Sequence, residues 1–218
     1  MPFIPLDSPI PDISLGLWKI EEDELYFLER IKLYENEWTR LSDILHPQKR
    51  LEWLSSRLCL KELLNIANHT RVESLNTVTG KPYLSNNSHY ISYTHSDYYS
   101  AAIASTAGEV GIDIEYRKRR RNQRTRFLFL SEPELAAYDE APTFEHFLLA
   151  WSAKETIYKI VGQGFGFKEN IRLEMRRLEI GENGTFPAFV EKDDFQQQYE
   201  VHYVVHPDFI LTYACSRL

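Results

Sequence analysis

The sequence predicts an α+β protein built as two similar halves, each a long helix packed on a small antiparallel sheet. Three observations carry this reading. Aromatic residues that favour strands are abundant, with 13 Tyr and 12 Phe among 218 residues. Two long segments, 47–67 and 143–161, place apolar residues at helical spacing. Short strand-like runs bounded by turn residues follow each of them. With 43% hydrophobic and 26% charged residues, the chain has enough apolar surface for a packed core and is not expected to be disordered.

In chain order, Leu15–Ile20 reads as a short strand and Glu21–Tyr34 as a helix. Pro47–Ala67 is the clearest helix of the first half. Pro47 suits a first turn, and Leu51, Leu54, Leu58 and Ile66 recur at helical spacing. Thr79-Gly80-Lys81-Pro82 is a turn. His89–His95, Tyr99–Ser105 and Val110–Glu115 read as strands joined through Ser96-Asp97 and Ala107-Gly108, as a meander or a hairpin pair. In the second half, Ser131-Glu132-Pro133-Glu134 has the form of a capping box. Thr143–Val161 is a long helix ended by Gly162. Strands are expected at Ile171–Glu179, Phe186–Val190, Tyr199–Val205 and Phe209–Ala214. The halves divide as 1–116 and 117–218.

Several classes are excluded. Two cysteines, Cys59 and Cys215, cannot build a disulfide framework or a four-thiolate zinc site. Residues 1–20 lack a basic stretch followed by an apolar run, so no signal peptide is expected. No 18-residue apolar window exists, so no membrane span is expected. A cytoplasmic location follows as an expectation. A net charge of −7 argues against a general nucleic-acid binder. Within this acidic chain, Arg117–Arg126 holds seven basic side chains and no acidic one. Such an island suits an acidic partner, or is a solvated loop.

Three constellations carry chemistry. In Gly111-Ile112-Asp113-Ile114-Glu115, strand alternation puts Asp113 and Glu115 on one face, about 7 Å apart, where one hard cation can sit. An edge strand with a wet face would give the same pattern. In Trp151-Ser152-Ala153-Lys154-Glu155-Thr156-Ile157-Tyr158-Lys159, Glu155 and Lys159 share a helix face. Glu155 can add a third carboxylate and Lys159 can neutralise phosphate, or the two form an ordinary helix pair. Ser92-Tyr93-Thr94-His95-Ser96 brings hydroxyls and an imidazole to a strand end, where they can hold a phosphate or serve the fold.

In order and spacing, Gly80-Lys81-Pro82, Thr94-His95-Ser96, Gly111–Glu115 and Trp151…Lys154-Glu155…Lys159 resemble the 4′-phosphopantetheinyl transferase superfamily in its longer, Sfp-type branch. The resemblance implies a pseudo-twofold α+β fold and a monomer whose halves mimic a dimer, with coenzyme A between them. It implies magnesium held by Asp113, Glu115 and Glu155. Glu155 is also the base that activates a carrier-protein serine, and Lys159 assists the breaking pyrophosphate. Lys81, Thr94, His95 and Lys154 match positions that contact coenzyme A phosphates, and Arg57 matches a contact to its adenosine. Glu134 matches a family acid that holds a metal-bound water, or is a helix cap. Gln163 stands where the family carries lysine, and Thr94 where it commonly carries serine. The implied reaction moves phosphopantetheine from coenzyme A to an apo acyl or peptidyl carrier and releases 3′,5′-ADP. The carrier could belong to fatty-acid, polyketide, peptide-synthetase or lysine biosynthesis. A metal-dependent phosphodiesterase and a non-catalytic module binding coenzyme A or a carrier are the rival readings.

Overall fold

The structure is a computed structural model describing residues 3–65, 73–118, 121–140, 142–176 and 178–216. Internal contacts divide the chain into a first unit, Met1–Glu109, and a second, Val110–Arg217.

The first unit opens with strands β1 (Phe3–Leu6) and β2 (Ile13–Lys19). Three helices follow: α1 (Glu24–Arg30), α2 (Glu35–Asp43) and α3 (Pro47–Leu63). Then come β3 (Ser74–Asn76), β4 (Pro82–Leu84), β5 (Tyr90–Ser96) and β6 (Tyr99–Ser105). The main sheet has the order β1-β2-β6-β5, antiparallel throughout, and β3 pairs with β4. Helix α3 lies across β2, β5 and β6. Leu54, Leu58 and Cys59 of α3 join Trp18, Phe27, Ile91 and Ala102 in one buried cluster. Pro47 occupies the first turn of α3, where its missing N–H costs nothing. The described helix ends at Leu63, and Ile66 and Ala67 fall outside the described residues.

The second unit begins with β7 (Val110–Tyr116). A 3-10 turn at Gln123–Thr125 leads into α4 (Arg126–Phe129), then α5 (Glu132–Glu140) and α6 (Phe144–Val161). Strands β8 (Ile171–Leu173), β9 (Asn183–Lys192), β10 (Phe195–Val205) and β11 (Phe209–Cys215) complete it. All five strands form one antiparallel sheet of order β7-β11-β10-β9-β8. Helix α6 starts where the Thr143 hydroxyl accepts from the His146 N–H and stops at Gly162, φ +81. Such a φ favours glycine. Its buried face packs on β7 and β11.

Both units thus set a long helix on an antiparallel sheet, as expected. Of the meander or hairpin pair expected, one hairpin forms. β5 and β6 make a hairpin, but β7 pairs with β11 through Asp113↔Thr212 and Glu115↔Ile210. Asp113 and Glu115 therefore fold with the second unit, although sequence adjacency assigned them to residues 1–116. No described helix is long and apolar enough to cross a membrane.

Candidate active site

Gly111 explains how α6 reaches the acidic strand. A Cβ on Gly111 would collide with the Thr156 carbonyl oxygen, so only glycine allows the helix backbone to press onto β7. Buried hydroxyls fix the contact further. Thr212 Oγ1 lies 2.8 Å from Ser152 Oγ and 2.7 Å from Thr156 Oγ1. Alternation then turns Asp113 and Glu115, on the same strand face as Gly111, toward α6. That face is not wet. Asp113 is 6% exposed and Glu115 4%.

Each carboxylate meets a cation. Lys159 Nζ donates to Asp113 Oδ1 at 2.9 Å and to the Ile112 carbonyl at 2.8 Å. One Arg121 nitrogen donates to both Glu115 oxygens at 2.6 Å. The Arg121 guanidinium lies 5.4 Å from the Trp151 ring centre. Negative charge is still in excess. Burial and the neighbouring Asp113 push the Glu115 carboxyl up to about 7, against the pull of Arg121. Burial and Asp113 likewise raise Glu155, against Lys159 and Arg121. Glu155 and Lys159 are more than an isolated helix pair, because both act on the charge of β7.

Among the described residues, no group of three or more His, Cys, Asp or Glu side chains is gathered into a metal centre. The donor chemistry nevertheless fits a hard dication. Magnesium takes one or two carboxylates and completes its shell with water and substrate phosphate. Asp113 and Glu115 are two buried carboxylates whose mutual repulsion a dication would relieve. Lys159 and Arg121 are the cations it would compete with.

Lys154 departs from the expectation. It is fully buried, and its ammonium donates to Glu134 Oε2 at 2.9 Å, to the Phe167 carbonyl at 2.7 Å and to the Ile171 carbonyl. Three donors with three acceptors leave no N–H for a phosphate. Burial pulls its pKa down, and the Glu134 charge opposes that. Glu134 is saturated too. It accepts from the Ser131 N–H and hydroxyl and from the Leu173 N–H, each at 2.7 Å. Only the Glu134 arm of the capping box forms, since the Ser131 hydroxyl donates to the carboxylate, and that arm is one side of a buried knot joining α5, α6 and β8.

The first unit holds the other expected contacts in separate places. Lys81 pairs with Glu109 at 2.7 Å and lines a cavity of about 510 Å³ with Tyr83, His89, Tyr90 and Thr106. Thr94 and His95 lie toward the opposite end of β5 from Tyr90, with Thr94 buried. The His95 ring reaches Glu52 of α3 instead, Nδ1 to Oε2 at 2.8 Å. Arg57 is buried between aromatic rings. Its guanidinium lies 3.4 Å from the Trp53 ring centre and 5.2 Å from that of Tyr93, and it donates to Tyr93 Oη at 3.3 Å. Stacked this way it braces α3 against β5.

Residues 109–214 match the family model of the 4′-phosphopantetheinyl transferase superfamily. The match runs from Glu109, the last residue of the first unit, to Ala214 in β11. It contains the acidic strand, the Trp151–Lys159 helix and the Glu134–Lys154 knot. No curated protein matches the chain.

Sequence reasoning missed two site residues. Arg121 sits in the basic run, yet it lies six residues beyond Glu115 and clamps it. Among the described residues of the island, Arg117 likewise pairs with Glu145 at 2.5 Å and Lys118 with Asp208 at 2.6 Å. Glu52 was passed over inside an apolar helix pattern. A carboxylate at a buried helix position was the available signal.

Proposed function

We propose that the chain is a magnesium-dependent 4′-phosphopantetheinyl transferase that modifies a serine of an apo carrier protein. The supporting observation is the acidic strand of the matched region, with buried Asp113 and Glu115 facing the Glu155–Lys159 turn of α6. On this reading Asp113, Glu115 and Glu155 hold the metal, and Lys81, Thr94 and His95 contact coenzyme A. Bound there, magnesium would neutralise pyrophosphate charge.

The rest is done by side chains. Glu155, its basicity raised by burial and by Asp113, accepts the proton of the carrier serine hydroxyl. The serine oxygen bonds to the phosphorus bearing pantetheine, the pyrophosphate P–O bond breaks, and 3′,5′-ADP leaves. Lys159 turns from Asp113 toward the leaving phosphate and stabilises its charge. Lys154 and Arg57 keep the helices in place. Exposed Phe127 and Leu128 on α4, beside the island, offer an apolar contact edged with positive charge for an acidic carrier.

The test mixes the protein with magnesium, coenzyme A and an apo carrier and weighs the carrier. The expected result is a phosphopantetheine adduct with wild type and none with Asp113→Ala. A carrier unchanged by wild type would refute the reading.

A further inference from the structure

Glu52 is 1% exposed, on the face of α3 that also buries Ser55, Ser56 and Cys59. Its Oε2 accepts from Lys49 Nζ at 2.6 Å and from His95 Nδ1 at 2.8 Å. Its Oε1 is buried and has no hydrogen-bond partner among the described residues. A carboxylate half satisfied in an apolar interior is costly, and a leucine there would pack more cheaply. The protein keeps the carboxylate, and among the described residues its partner from outside α3 is His95. Burial raises the Glu52 carboxyl, but the hydrogen bonds from His95 and Lys49 outweigh it and hold it below the usual range.

The rest of the His95 surroundings carries little charge. Strand β6 is Tyr-Ser-Ala-Ala-Ile-Ala-Ser and β4 is Pro-Tyr-Leu, neither with a charged side chain. Asp97 lies in the β5–β6 turn, and its carbonyl accepts from Gln48 of α3 at 2.6 Å. Glu52 and Lys49 are the charged groups of α3 at the ring. With Nδ1 committed to Glu52, Nε2 is the ring nitrogen left for a ligand, and the side chain is 36% exposed. An imidazole with a carboxylate on one nitrogen and a phosphate oxygen on the other donates from both.

We propose that Glu52 is a positioning residue for His95, fixing the ring by Nδ1 so that Nε2 meets a phosphate of coenzyme A. The inference rests on the transferase reading for the identity of the ligand. It adds a residue outside the matched region, acting through another side chain as a second-layer carboxylate does for a metal-bound histidine.

The experiment uses the full chain and the variants Glu52→Leu, Glu52→Gln and His95→Ala. Coenzyme A binding is followed by calorimetry with magnesium, Tm by melting, and the ring by ¹⁵N NMR. Glu52→Leu is expected to bind coenzyme A about 10-fold or more weakly with an unchanged or higher Tm. Its KM for coenzyme A should rise while kcat at saturation stays near wild type. Glu52→Leu added to His95→Ala should cost nothing further. The neutral ring should carry its proton on Nδ1 in wild type and on Nε2 in Glu52→Leu. If Glu52→Leu fails to fold, Glu52→Gln is read in its place for affinity and for the NMR signature. Equal coenzyme A affinity in wild type and the Glu52 variant would overturn the inference and leave the transferase reading intact. Wild type that binds no coenzyme A would overturn both.

Discussion

Replacing Glu134 by alanine removes the counter-charge of a fully buried ammonium. Lys154 would keep only the Phe167 and Ile171 carbonyls. The Leu173 N–H would lose its acceptor inside the protein, and Ser131 would lose both of its bonds to the carboxylate. Breaking one side of a buried ion pair costs about 3–5 kcal/mol. Loss of a helix cap alone costs ~1 kcal/mol. If this chain unfolds as one unit, 4 kcal/mol corresponds to a Tm drop of about 8–16 °C. The assay is thermal and urea unfolding of wild type, Glu134→Ala and the double variant Glu134→Met, Lys154→Met. The double variant should recover most of the loss, because a well-packed apolar pair can replace a buried ion pair. It should also retain coenzyme A affinity. A loss below ~1 kcal/mol for Glu134→Ala would reduce Glu134 to a surface cap and refute the knot. Coenzyme A affinity abolished in a fully folded double variant would restore Lys154 as a phosphate contact.

Other expectations concern the acidic face and the island. The folded protein raises the Glu115 carboxyl from 4.5 to about 7. The folded state therefore holds that proton more tightly than the unfolded chain. The associated stability is fully present below 4.5 and is lost as pH rises to 7, on the order of 3 kcal/mol. Melts across this range should show the loss in wild type and not in Glu115→Gln, and a flat difference between them would contradict the charge excess. In a magnesium titration of turnover, Glu155→Gln should cut the rate severely and weaken the magnesium response. Lys159→Ala should lose about 10²–10³ in rate with a smaller effect on magnesium. Two variants with wild-type kinetics would return Glu155 and Lys159 to an ordinary helix pair. Lys118→Glu with Arg124→Glu should raise KM for the carrier more than for coenzyme A, and added salt should shrink the difference. Unchanged carrier kinetics would make the island a solvated loop. Arg121 is left intact in that test because it clamps Glu115.

The sequence made the elements legible wherever local chemistry decided them. Thr143 and Gly162 bracket α6 as a cap and a positive-φ stop, and β6 spans the residues its apolar run predicted. Pairing was not legible. β7 follows the β5–β6 hairpin in the chain yet joins β11, about a hundred residues away, and no periodicity records which edge a strand will find. Helix α2 was missed because Glu35–Asp43 is mostly polar, and only Leu41 and Glu37 are buried. At the site, Asp113 and Glu115 could be placed on one face from alternation alone. Their burial could not, since it depends on Gly111 admitting α6. Lys154 shows the converse difficulty. The family resemblance implies a phosphate contact for it, and only the fold reveals Glu134 and two carbonyls closing around it.

On the transferase reading, the acidic strand and α6 move phosphopantetheine onto a carrier, as opposed to cutting coenzyme A or merely holding it. The direct measurement counts both products in one reaction with magnesium, coenzyme A and apo carrier. Released 3′,5′-ADP is quantified against carrier that has gained phosphopantetheine by mass. Equal amounts of each are expected from wild type, and neither from Asp113→Ala. Release of 3′,5′-ADP without modified carrier would make the protein a phosphodiesterase. Coenzyme A binding with no product at all would make it a binding module, and either result would contradict the account.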